Sequence, residues 1–157
     1  MVASAATSIQ SDELAQSLFN AFTRFRLKGP RGRRRSGDLK EVEFLTLSLL
    51  RQHDTMIVGD IQRMLGVLPA QMSRIIRSLE ARDRPLIACR INPNDKRKID
   101  VVLTPAGRSA FQEYQSSRVR GIVTLLAKLA EEDLEDLNRL LEKVHDLLGP
   151  RSFREAT

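Results

Sequence analysis

Gln71, Arg74 and Arg77 recur three residues apart in the run Pro69 to Ser78. That spacing sets them side by side on a helix. Arg can pair with O6 and N7 of guanine and Gln with N6 and N7 of adenine, each good bidentate pair adding about 1–3 kcal/mol of discrimination. Further along, Asn94, Lys96, Arg97 and Lys98 crowd a short polar segment around Asp95. An arginine at a hairpin tip can enter a narrow minor groove, where the potential is most negative, while neighbouring lysines touch phosphates. Asp95 has no evident place against a polyanion. It is expected to buttress the tip by pairing with an arginine or by accepting turn N–H groups. The alternative for the helical row is a solvated helix face, and for the second segment a polar β-turn. The elements that carry them decide.

Stepping outward along the chain, a helix is expected from about Ser11 to Lys28, with Leu14, Leu18, Ala21, Phe22 and Phe25 in one apolar stripe. Gly29-Pro30 ends it, and Gly29 to Gly37 reads as an Arg-rich loop. Asp38 resembles an N-cap with Glu41 three residues on. The helix it opens carries Val42, Phe44, Leu45, Leu47, Leu49 and Leu50 on so many sides that it is expected to be central, stopping near His53-Asp54. A short helix over Val58 to Leu65 closes at Gly66. Pro69 suits the first turn of the next helix, 69–82. Met72, Ile75, Ile76 and Leu79 form its apolar side and Gln71, Arg74, Arg77 and Ser78 the other. Two short helices joined around Gly66, the second with a basic outer side, make a helix-turn-helix pattern.

Leu86 to Ile91 and Ile99 to Leu103 are rich in β-branched residues, and the gap 92–98 holds Asn, Pro and Asp. This predicts a two-stranded hairpin with a cationic tip. Thr104-Pro105 starts a helix reaching about Ala130, and a last helix spans Glu131 to Leu148, ended by Gly149-Pro150. Its acidic first turn suits the positive end of the helix dipole. The fold class is mainly α with a small β-hairpin: a winged helix-turn-helix (38–104) flanked by an N-terminal helix and basic loop (1–37) and by C-terminal helices (105–157).

Composition agrees with such a reading. The 157 residues are 41% hydrophobic and 29% charged, with 26 Lys+Arg against 20 Asp+Glu and a formal net charge of +6. Basic residues gather at 31–35, 74–84 and 90–98, and acidic ones at 131–136, so a polyanion-binding face and a separate assembly surface are expected. No apolar run approaches the about 20 residues of a spanning helix, so no membrane partner is expected. Residues 1–10 show no basic stretch followed by an apolar one, so no export signal is expected either. The lone Cys89 excludes an internal disulfide and a cysteine-built metal site; a cytoplasmic location is expected. His53 and His145 stand without ligand spacing, and no metal or other cofactor is expected. No Ser/His/Asp set, paired carboxylates or phosphate-cradling loop stands out, which argues against an enzyme.

Residues Leu39 to Gly107 resemble the MarR (multiple-antibiotic-resistance regulator) family. The matching elements are Leu39, Glu43-Phe44 and Leu47, then Asp60-Ile61 and Leu65-Gly66-Val67, with Ser73-Arg74 and Leu79-Glu80 in the helix that follows. Asn92-Pro93-Asn94-Asp95-Lys96-Arg97 leading to Leu103-Thr104-Pro105-Ala106-Gly107 is similar to the family's Asp-x-Arg wing and Leu-Thr-x-x-Gly exit. Two departures stand out. Asp83-Arg84-Pro85 replaces a linking Gly, and Cys89 takes the place of a first-strand arginine that pairs with the wing Asp, Arg90 lying next to it.

The resemblance implies a ligand-responsive repressor that binds double-stranded DNA at an inverted repeat as a homodimer. Helix 69–82 would read the major groove through Pro69, Ala70, Gln71, Ser73, Arg74 and Arg77. The wing, 92–98, would meet the minor groove through Asn94, Lys96, Arg97 and Lys98, with Asp95 and Arg90 in support. It further implies a small-molecule effector, which the sequence does not identify, bound between the dimerisation helices and the DNA-binding lobe. Some members sense oxidants through cysteine near the N-terminal helix; Cys89, on the wing, reads instead as a small buried hydrophobe. For the loop Arg31 and Arg33 to Arg35 two readings stand, contact with flanking DNA and a solvated loop. The rival from another class is a helical adaptor whose basic face binds an acidic protein or RNA.

Overall fold

The structure, a computed structural model, describes residues 2–28 and 38–149, with side chains for 11–27 and 38–149. The Arg31–Arg35 loop and Pro150 lie outside the described residues. Among the described residues six helices and three strands follow in the order α1 (Val2–Lys28), α2 (Glu41–Gln52), β1 (Thr55–Ile57), α3 (Val58–Leu65), α4 (Pro69–Glu80), β2 (Ile87–Ile91), β3 (Ile99–Leu103), α5 (Pro105–Leu126) and α6 (Glu131–Leu148). The chain divides into two compact units, residues 1–118 and 119–157. Among the described residues no helix is long and apolar enough to cross a membrane.

In the first unit α2 is central, as its many-sided apolar pattern predicts: it touches α3, α4 and β3. Leu47 and Leu50 of α2, Ile61 of α3, Met72 and Leu79 of α4, Ile87 of β2 and Val101 of β3 are almost wholly buried together. Burying one such side chain contributes about 1.5–3 kcal/mol. On another side of α2, Phe44 stacks on Phe111 and Tyr114 of α5, with ring centroids 4.9 and 4.4 Å away, and the Arg51 guanidinium lies 4.9 Å over the Phe111 ring. Gly107 is needed at the start of α5, because a Cβ there would stand 2.0 Å from the Leu86 carbonyl oxygen. Thr104 fastens the same corner: its hydroxyl donates to the Pro85 carbonyl at 2.6 Å and accepts the Gly107 N–H at 3.0 Å.

Several expectations need correction. The hairpin is part of a three-stranded antiparallel sheet in the order β1-β3-β2, with Met56 opposite Val101 and Cys89 opposite the same residue on the other side. Three residues are too few to show an alternating pattern, so β1 escapes a reading by periodicity. The first helix starts at Val2 and not near Ser11, because the Ala-rich opening is a good helix former even without an apolar stripe. The second starts at Glu41 after Lys40, and not at Asp38, because Glu43 accepts the Lys40 N–H at 2.8 Å from the third helical position. α4 stops at Glu80, two residues before Arg82, and β2 starts at Ile87, one after Leu86. α5 stops at Leu126, where the next bonds tighten to three-residue closures, Lys128 N–H to Leu125 O and Leu129 N–H to Leu126 O.

The second unit holds the end of α5 and α6. The first turn of α6 carries Glu131, Glu132 and Asp133, and none of its residues is buried. Leu134, Leu140, Leu141, Val144, Leu147 and Leu148 are exposed. In the first unit α1 shows the same feature at Leu14, Leu18, Phe19, Phe22 and Leu27.

Candidate nucleic-acid interface

The turn before α4 is fixed residue by residue. Gly66 takes a left-handed φ of 63°, which glycine adopts without strain, and its N–H reaches the Arg63 carbonyl at 3.2 Å. The Val67 N–H bonds back to Gln62 O at 3.3 Å. Leu68 is extended, Pro69 supplies a preset φ, and Met72 N–H closes the first α-turn on Leu68 O at 2.9 Å. α4 then buries Met72, Ile75 and Leu79 and packs on α2, α3 and β2.

With one side closed by that packing, Pro69, Ala70, Gln71, Ser73, Arg74 and Arg77 are all exposed. Neither Arg74 nor Arg77 has a hydrogen bond or ion pair among the described residues, so both guanidinium groups keep their donors for an incoming acceptor. Ser73 turns its hydroxyl hydrogen to the Pro69 carbonyl at 3.1 Å, leaving oxygen lone pairs outward. Ser78, expected on the outer side, is half-buried and donates to Glu43 at 2.6 Å. Leu68, which the sequence reading passed over, is 73% exposed at the mouth of α4.

At the wing the tip is a closed hydrogen-bonded loop. Asn92 N–H bonds to Lys98 O at 3.0 Å and Lys98 N–H to Asp95 O at 2.9 Å. The Asn92 side chain accepts the N–H groups of Asn94 and Asp95 at 2.9 Å each and donates to Asp100 at 2.8 Å. Asp95 accepts the Arg97 N–H at 3.1 Å and faces the Arg97 and Lys98 cations at 3.5 and 3.7 Å. The expected buttress is therefore present in both forms, as an ion pair and as a turn cap. Its partners come from the tip itself; Arg90 instead lies exposed and in register with Asp100. Asn94, Lys96, Arg97 and Lys98 are all exposed, the Arg97 side chain at 93%.

Two further groups lie behind this surface. Glu43 is only 2% exposed; besides Lys40 and Ser78 it receives Arg82 at 3.1 Å. A charged residue in a helix apolar on most sides was the available signal that it would be buried and paired. Cys89 is half-buried, and burial, followed by the charge and hydrogen bond of Glu80, pushes its thiol up to about 11. Among the described residues no group of His, Cys, Asp and Glu could hold a metal ion.

Residues 39–99, running from the core residue Leu39 through the recognition-type helix to the base of the wing, match the model of the MarR family. Over those residues, somewhat more than a third of its length, the chain is similar to the MarR family. Members of the family are winged-helix transcription regulators. The chain is 29% identical over 92 residues to the HTH-type transcriptional repressor MdtR of Bacillus subtilis, an alignment covering 59% of this chain and 58% of that one. It thus spans somewhat under two thirds of that relative. The YusO protein of Bacillus subtilis shares the MarR-like fold at a TM-score of 0.67 and 24% identity, covering 86% of this chain and 94% of the other. BpsR of Bordetella bronchiseptica, described through the regulation of its DNA binding by 6-hydroxynicotinic acid, shares it at a TM-score of 0.59 and 23% identity, with 84% and 98% covered.

Proposed function

We propose that this chain is a sequence-specific, double-stranded-DNA-binding transcription repressor of the MarR family that acts in the cytoplasm as a homodimer on inverted-repeat sites. The observation that carries this is the row Gln71, Arg74 and Arg77, exposed on a helix whose opposite side is buried, next in sequence to a self-braced cationic hairpin tip. α4 would lie in the major groove and contact bases through Pro69, Ala70, Gln71, Ser73, Arg74 and Arg77. Asn94, Lys96, Arg97 and Lys98 would meet the neighbouring minor groove and its phosphates. A second copy covering the open apolar faces of α1, α5 and α6 would set two recognition helices about 34 Å apart, one DNA turn.

Regulation by a small molecule accords with the description of BpsR. Such a ligand acts only by binding the DNA-competent and incompetent forms with different affinity. The test is titration of the chain against duplexes selected from a random pool, over a salt series. Saturable binding by two protomers per site with a steep salt slope is expected. Arg97→Ala is expected to weaken binding on every duplex, and Arg74→Ala to relax base preference by about 1–3 kcal/mol at one position of each half-site. Unchanged binding in both variants would remove this face. A helical adaptor for an acidic protein or RNA would show no preference for inverted repeats.

A further inference from the structure

We infer that Glu43 is a positioning residue for base readout: a buried carboxylate that fixes the roll of the recognition helix about its own axis. This inference rests on the DNA-binding reading above and specifies how that surface is held. The Met72, Ile75 and Leu79 stripe holds α4 against the core, but the hydrophobic effect is itself non-directional. Side-chain atoms lie about 5–6 Å from a helix axis, so a roll of about 20° displaces them by about 2 Å. A bidentate pair with a base edge tolerates far less, since hydrogen bonds span only about 2.7–3.2 Å.

Directional bonds are what would prevent that roll, and Glu43 supplies them from both oxygens. Oε1 accepts the Ser78 hydroxyl at 2.6 Å; Oε2 accepts Arg82 at 3.1 Å and the Lys40 N–H at 2.8 Å. Ser78 lies in the last turn of α4 and Arg82 just past its end, whereas Lys40 caps α2. One carboxylate therefore ties the C-terminal half of α4 to the start of the central helix through Ser78, which stands one turn beyond Arg74 and two beyond Gln71 on the same flank. The wing is braced by its own bonds through Asn92 and Asp95 and does not depend on Glu43.

The decisive variant is Glu43→Met with Arg82→Met. Replacing a buried ion pair by apolar side chains of similar size commonly keeps or raises stability, and Ser78 can then bond the carbonyl one turn back. This double variant is expected to melt within about 5 °C of the parent. Its preference for a selected operator duplex over a random duplex should nevertheless fall at least about tenfold. Affinity for the random duplex and the salt slope should stay unchanged, because phosphate contacts tolerate the roll. Glu43→Gln, which keeps an acceptor for Lys40 and Arg82 and can donate to the Ser78 oxygen, should restore most of the preference. Should the double variant not fold, Ser78→Ala decides, with an expected severalfold loss of preference. Parental preference in the variant that is read overturns the inference alone. A parent chain with no preference among duplexes overturns both this inference and the DNA-binding reading.

Discussion

α4 and α6 are built to the same plan, an apolar stripe along one side and charged or polar residues on the other. In α4 the stripe is closed: Met72, Ile75 and Leu79 are buried. In α6 no residue is buried, and Leu147 is 86% exposed. Amphipathicity thus announces that a helix is to be covered without saying by what. Charge tells the two apart. The outer side of α4 is cationic and faces solvent beside a braced hairpin, whereas α6 opens with three acidic residues and offers leucine. One helix is built to present its polar side, the other its apolar side.

That contrast can be broken most severely at Leu79. Leu79→Ala empties a wholly buried site and should cost about 2–5 kcal/mol in denaturant unfolding, whereas Leu147→Ala should stay within about 0.5 kcal/mol in a dilute, monomeric sample. Comparable losses from the two would mean that α6 is covered within a single copy. Leu141→Glu is the next largest. It sets a charge in the open stripe and should shift the species seen by sedimentation from dimer to monomer, with operator affinity falling about a hundredfold, or about 2.7 kcal/mol. An unaltered dimer would move the assembly surface elsewhere.

Cys89 gives the smallest effect and sharpens the closed side of the comparison. With its thiol pushed up to about 11, the reactive thiolate is scarce at neutral pH, so alkylation of the folded chain should be slow and rise steeply toward pH 11. The sign for stability follows: the raised value favours the protonated folded state, so this contribution is complete below pH 9 and is lost as pH climbs through about 11. Rapid alkylation at pH 7 in native buffer would show that the packing of β2 against α4 opens.

Much of this architecture is written in short-range chemistry. Gly66, Pro69 and Thr104-Pro105 punctuate the chain where the helices in fact turn, because a left-handed φ, a preset φ and a hydroxyl cap act within a few residues. The exposed row on α4 follows from a 3.6-residue period. What periodicity could not show depends on residues distant in sequence. β1 is a strand only because β3 lies beside it. Ser78 is drawn inward by Glu43, thirty-five residues earlier. The cap at Lys40 prevails over Asp38 because Glu43 reaches back to it. The sequence likewise leaves the partner of Asp95 open, because Cys89 takes the place of the family's pairing arginine; the tight loop supplies cations from Arg97 and Lys98.

Because β3 is the middle strand, flanked by β1 and β2, the wing is a cantilever and not a flap. An isolated two-stranded hairpin is marginal in water, and its end would sweep freely over whatever lay beneath. Here the β3 edge of the hairpin is clamped by β1, the strand that leads straight into α3. The free length is reduced to the loop beyond Ile91 and Ile99. Changes of length or sequence in that overhang should alter reach alone, whereas a proline inserted into Thr55–Ile57 would slacken the beam at its root and be felt at the far end.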